Sequence, residues 1–116
     1  MIKFDVEFYT KKDGTKPAKD FLLSLDTKMM AKMSGMIDIL EEKGNQLREP
    51  YSKHLTDGIF EIRAKVSSDI TRILYFFYYE GRIILTNGFV KKSMKTPKSA
   101  IELAVKYKND YIERYI

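Results

Sequence analysis

Hydrophobic and polar residues alternate strictly at the start of the chain, where Ile2, Phe4, Val6 and Phe8 are interleaved with polar positions. A period of two places successive side chains on opposite faces, so this segment predicts a strand with one buried face. "KKDGTKP" breaks the pattern, and Pro17 suits the first position of a helix. A short helix is expected from Pro17 to Leu25, burying Phe21, Leu22 and Leu25. Asp26 then offers an N-cap for a longer helix ending near Gly44. Along it, Met29, Met33, Ile37 and Leu40 are spaced four, four and three apart, forming one apolar stripe. A methionine stripe can line a binding groove, but this spacing is read first as core. "NQLREPYSKHLTDG" reads as a polar linker.

Three further strands follow. In "IFEIRAKV", Phe60, Ile62, Ala64 and Val66 face one way, and Glu61, Arg63 and Lys65 the other. Turns at Ser67-Ser68 and Glu80-Gly81 separate it from "ITRILYFFYY" and "RIILTNGFV". "ITRILYFFYY" is apolar on both faces, as expected of a strand central to a sheet or covered by a partner. Thr96 as N-cap and Pro97 at the first position open a last helix. Its Ala100, Ala104, Tyr107, Tyr111 and Tyr115 form a stripe beside Ile101, Val105 and Ile112. The expected order is β-α-α-β-β-β-α, an α+β fold with a mainly antiparallel sheet packed against helices.

At 116 residues the chain is expected to be a single domain, residues 1–116. The absence of cysteine excludes disulfides, thiol nucleophiles and thiolate metal sites. "MIKFDVEFYT" has no apolar core of a signal peptide, and no run approaches the roughly 18 apolar residues of a membrane span. A cytoplasmic protein is the expectation. The net charge of +5 is one-sided: residues 1–50 hold nine basic and nine acidic side chains, whereas residues 51–116 hold twelve and seven. Such a split points to a polyanion-binding face, or to a basic chain that is merely well solvated.

One histidine and no clustered acidic pairs give no support for a zinc or two-metal site, and no cofactor motif is present. What remains is a set of cations. If the hairpin closes tightly at Ser67-Ser68, Arg63 and Arg72 stand opposite each other. Like charges so paired destabilise a sheet, and two guanidiniums together can clamp a phosphate. Alternatively each pairs with Glu61, Asp57 or Asp69, or another register separates them. "NGFVKKSMKTPKSA" adds Lys91, Lys92, Lys95 and Lys98 without one acidic residue. It is either a solvated loop or the rim of an anion site beside a helix N-terminus. Lys53 and Lys65 extend the positive field. His54 is the only imidazole, the side-chain type that titrates near neutrality, and Glu61 is a second possible base. These groups are the parts needed for metal-free RNA cleavage.

"KHLTDGIFEIR", "TRILYFF" and "GFVKKSMKTP" followed by "AIELA" resemble the phage-derived branch of the RelE/HigB toxin superfamily. The resemblance covers nearly the whole chain and is most specific from Leu55 to Ala104. It implies the toxin of a type II toxin–antitoxin pair, a metal-independent endoribonuclease that cleaves messenger RNA on the ribosome. The implied partner is a HigA-like helix-turn-helix antitoxin. By position, Arg63 matches a basic functional site, Glu61 stands where the RelE branch has a lysine, and Arg72 aligns with an arginine early in the third strand. Lys91 and Lys92 align with a basic pair, Lys92 in place of an arginine, and His54 is comparable to a histidine of HigB-type members. The RelE branch's C-terminal tyrosine has no clear counterpart. The expected site is therefore Arg63, Arg72, Lys92, His54 and Glu61, with Lys53, Lys65, Lys91, Lys95 and Lys98 binding RNA. The alternatives are a ParE-like, non-enzymatic inhibitor of DNA gyrase and a non-catalytic phage-derived nucleic-acid-binding protein.

Overall fold

The computed structural model describes residues 3–91 and 95–115. Ile2 of the expected first strand, and Lys92, lie outside them. The elements are strand β1 (Asp5–Phe8), helix α1 (Pro17–Ser24), helix α2 (Thr27–Lys43) and a short 3-10 turn (Gly44–Gln46). Strands β2 (Ser52–Thr56), β3 (Ile59–Val66), β4 (Asp69–Tyr78) and β5 (Arg82–Lys91) follow, and helix α3 (Lys98–Arg114) closes the order. The result is the expected α+β fold with one strand more than the sequence pattern indicates. The segment read as a polar linker contains β2. The Asp57-Gly58 turn after it has positive φ at both residues, 49° and 75°. This is the pattern of a two-residue hairpin, which an Asp-Gly pair adopts readily.

The five strands are ordered β1-β5-β4-β3-β2. All neighbours run antiparallel except β1, which pairs parallel to β5. β4 lies at the centre, which explains why "ITRILYFFYY" is apolar on both faces. One core layer joins Met29, Met33, Met36 and Leu40 of α2 to Ile62, Ala64, Ile73, Tyr75, Ile83 and Leu85. Of the expected stripe, Met29, Met33 and Leu40 are buried and Ile37 packs on the flank, while Met36 is buried in addition. Asp26 caps α2, its carboxylate accepting from the Met29 amide at 2.9 Å.

The second layer lies on the opposite face, where Ala104, Tyr107 and Tyr111 of α3 cover Ile59, Leu74, Phe76 and Ile84. Tyr9 ties the end of β1 to this helix by donating to Asp110 at 2.5 Å, and Arg114 donates to the same carboxylate at 2.7 Å. Burial pushes the Tyr9 hydroxyl up to about 12, so it stays a donor. The face of β3 that carries Glu61 is thus partly roofed by a helix.

Gly44 ends α2 at φ 52° and ψ −124°, and a Cβ there would meet the Phe4 ring at 2.0 Å. Gly35, inside α2, has open space around it. Gly44→Ala is expected to destabilise the protein by at least about 2 kcal/mol through strain and overpacking. Gly35→Ala should instead stabilise it by about 0.5–1 kcal/mol. Urea unfolding of the two variants tests this pair of opposite signs.

Candidate functional site

The β3–β4 hairpin closes at Ser67-Ser68, with Val66 paired to Asp69, and this register sets Arg63 directly opposite Arg72. Strand alternation then places Glu61, two residues before Arg63, on the same face. Glu61 is fully buried, and both of its oxygens are engaged. Oε2 accepts from Arg63 Nε at 2.7 Å and from an Arg72 terminal nitrogen, and Oε1 accepts from the Thr96 hydroxyl. The same Arg72 nitrogen donates to Thr96 at 3.1 Å. One carboxylate therefore neutralises part of the repulsion between two opposed guanidiniums, and a formal charge of +1 is left on the trio. Glu61 is a counterion that holds the arginines rather than an available base, because its oxygens face cations and a hydroxyl instead of solvent.

Arg72 is only 4% exposed. Desolvation lowers its pKa from the ordinary value, against the raising effect of the Glu61 charge. Its Nε is buried and has no hydrogen-bond partner among the described residues. Arg63 is more accessible, at 22% of its side chain. Thr96 does not act as the helix cap: Pro97 occupies the cap position of α3 without a side-chain cap bond. The Thr96 hydroxyl is instead the link between the β5–α3 connection and the ion cluster. The pattern "TP" conceals this role, since the same pair is also a common helix-start signal.

A cleft of about 250 Å³ opens beside the cluster, lined by Lys53, His54, Leu55, Arg72, Lys95, Thr96 and Ile101. Lys53 is the register partner of Glu61 across β2–β3, so its side chain shares the α3 face. Arg63 and Lys65 line a second cavity of about 530 Å³ with Lys32, Met36, Tyr51 and Ile70. Lys98 lies on the exposed first turn of α3, 3.8 Å from Glu102, a surface pair of little energetic weight. Lys91 is the last residue of β5, and its side chain, like all of Lys92, is outside the described residues.

His54 borders the Arg72 cleft, but its register partner is Phe60 and its ring packs edge-on to the Phe60 ring at 4.9 Å. Phe60 packs with the α2-side core. The imidazole therefore stands on the face opposite Glu61 and Arg72. The structure thus gathers Arg72, Lys53 and Lys95 at one cleft, holds Arg63 beside them through Glu61, and sets the His54 ring apart. No group of three or more metal-ligating side chains occurs among the described residues. Nor is any described helix long and apolar enough to cross a membrane.

Residues 20–109 match the family described as phage derived protein Gp49-like (DUF891). The chain belongs to this family. The Gp49-like proteins are a RelE/HigB-like toxin family, in keeping with the fold and with a basic cluster on β3 and β4. The match spans α2 through most of α3 and so includes Glu61, Arg63, Arg72 and Thr96. A comparison with curated proteins finds no match.

Because Glu61 holds two cations inside the protein, Glu61→Gln is expected to destabilise the fold by about 3–5 kcal/mol, the scale of breaking a buried ion pair. Urea unfolding at constant pH measures it. A loss under about 1 kcal/mol would mean that the carboxylate is not the keystone of the cluster.

Proposed function

We propose that this Gp49-like protein is a toxin that cleaves messenger RNA without a metal ion, and that the Arg72 cleft receives the scissile phosphate. The observation that carries this reading is the pair of guanidiniums fixed by one buried carboxylate beside a cleft edged by Lys53 and Lys95. Cleavage requires the ribose 2′-hydroxyl to give up its proton and its oxygen to attack phosphorus, while the bond to the 5′-oxygen breaks and that oxygen takes up a proton, giving a cyclic phosphate and a free 5′-hydroxyl. Negative charge grows on the phosphate oxygens during this step. Preorganised cations aimed at those oxygens stabilise that charge without reorganising. Arg72 is held for such a role by Glu61 and Thr96, and the lysines supply further positive charge at the rim.

Arg63, on the far side of Glu61, contributes to the field and orients the carboxylate. His54 borders the same cleft at the edge strand, but its ring stands on the opposite face, and cleavage by His54→Ala at the parent rate would exclude it from proton transfer. The partner proposed for this toxin is a helix-turn-helix antitoxin of the HigA kind, and the setting proposed for cleavage is the ribosome. What supports both is the likeness of the Gp49-like family to RelE/HigB toxins.

Lys53 and Lys95 are exposed, so their removal tests the cleft without dismantling the cluster. The double variant Lys53→Gln, Lys95→Gln should lower RNA cleavage on the order of a hundredfold and relieve growth arrest on induced expression. Urea unfolding of the double variant separates a loss of stability from a loss of cleavage. Mapping of RNA 5′ ends after induction reads the cleavage directly. Growth arrest with intact RNA and a DNA-damage response would sink the nuclease reading in favour of gyrase inhibition of the ParE kind.

A further inference from the structure

β2 is the outer strand of the sheet, so its two faces meet at an open edge. Adjacent strand residues point to opposite faces. Lys53 therefore projects toward the Arg72 cleft, and His54 projects to the other side, against Phe60. On that other side lies a cavity of about 540 Å³, also bordered by Lys53 and His54. Its volume falls within the roughly 300–1,000 Å³ typical of small-ligand pockets.

The walls of this cavity have a distinct chemistry. Phe60, Tyr75 and Phe77 form one aromatic wall, with Phe60 stacked on Tyr75 at 5.5 Å and set edge-on to Phe77 at 5.2 Å. The Tyr75 hydroxyl is hydrogen-bonded to Ser52, so the ring is held in place from behind. Asn45, Arg48 and Glu49 stand exposed along the lining, offering an amide, a guanidinium and a carboxylate. The Arg48 guanidinium is itself anchored, donating to the Asn45 carbonyl at 2.6 Å. An aromatic wall with donors and acceptors at its margin suits a flat heterocycle that stacks by its face and hydrogen-bonds by its edge.

We propose that this cavity holds a nucleobase of single-stranded RNA, next to the phosphate bound in the Arg72 cleft, with the RNA strand passing around the β2 edge at Lys53 and His54. The proposal deepens the nuclease reading and rests on it for the position of the phosphate. Its occupant follows from continuity: the two cavities share two neighbouring residues, one directed to each face. Phosphate contacts at Lys53, Lys95 and Arg72 would position the strand, and the aromatic pocket would supply a preference for base identity beside the cut.

The test titrates the purified protein with 2′-O-methyl RNA tetranucleotides, which cannot be cleaved, and with matched strands carrying one abasic residue at each position in turn. The His54 ring resonances and the affinity are followed together. One abasic position is expected to weaken binding about tenfold to a hundredfold, the scale of losing one stacked base, and to leave the His54 signals unshifted. Phe60→Leu and, independently, the surface variant Asn45→Ala should shrink that difference. Lys95→Gln should weaken intact and abasic strands alike. Equal affinity for intact and abasic strands, binding of neither, or a base dependence untouched by both pocket variants overturns the proposal. Base-dependent binding by a protein that cuts no RNA in cells would uphold the pocket and refute the nuclease reading. Cleavage with no base dependence would do the reverse.

Discussion

Two arginines face each other across the β3–β4 ladder, and the buried carboxylate of Glu61 makes that arrangement possible. Opposed like charges weaken a sheet, and burying a guanidinium without a counterion costs far more. Glu61 answers both problems from a position two residues away on the same strand face. It accepts from Arg63, from Arg72 and from Thr96 at once. A buried ion cluster of this kind adds little net stability over a well-packed apolar replacement. Its persistence in the interior is better explained by what it holds in place, a desolvated arginine with residual positive charge at the mouth of a cleft.

The rest of the molecule serves that placement. The tight Ser67-Ser68 turn sets the register that opposes the arginines. α3 covers the same face with Ala104, Tyr107 and Tyr111, and so makes the Glu61 site a buried one. Thr96 ties the start of α3 to the cluster, and Lys95 beside it lines the cleft. The edge strand β2 then divides the surface into two sides, with Lys53 on the cationic side and His54 on the aromatic one.

The fold class, the helices and four of the five strands were legible in the chain because periodicity reports burial directly. The missing strand β2 carries Lys53 and His54 on exposed positions of an edge, so no apolar alternation marks it; the Asp57-Gly58 pair was the available signal. The opposition of Arg63 and Arg72 was legible too, given a two-residue turn. Pairing of each arginine with Glu61 was among the alternatives the sequence left open, but the burial of that carboxylate was not legible. Its charge suggested a solvent face, and only the packing of α3 shows that this face is covered. Thr96 was misplaced for a related reason, since a Thr-Pro pair reads as a helix start whether or not its hydroxyl has been drawn into a tertiary contact. The division between His54 and Arg72 depends on strand alternation in an element the pattern did not reveal.

The central claim is that Arg72, held in place by Glu61, meets the phosphate of RNA. It is tested most directly by the NMR signals of the arginine side chains during titration with an uncleavable RNA. Perturbation of the Arg72 guanidinium, and of Arg63 with it, while Arg114 at the far end of α3 stays unchanged, is the predicted result. RNA binding that leaves the Arg72 and Arg63 signals where they are in the free protein would contradict the account.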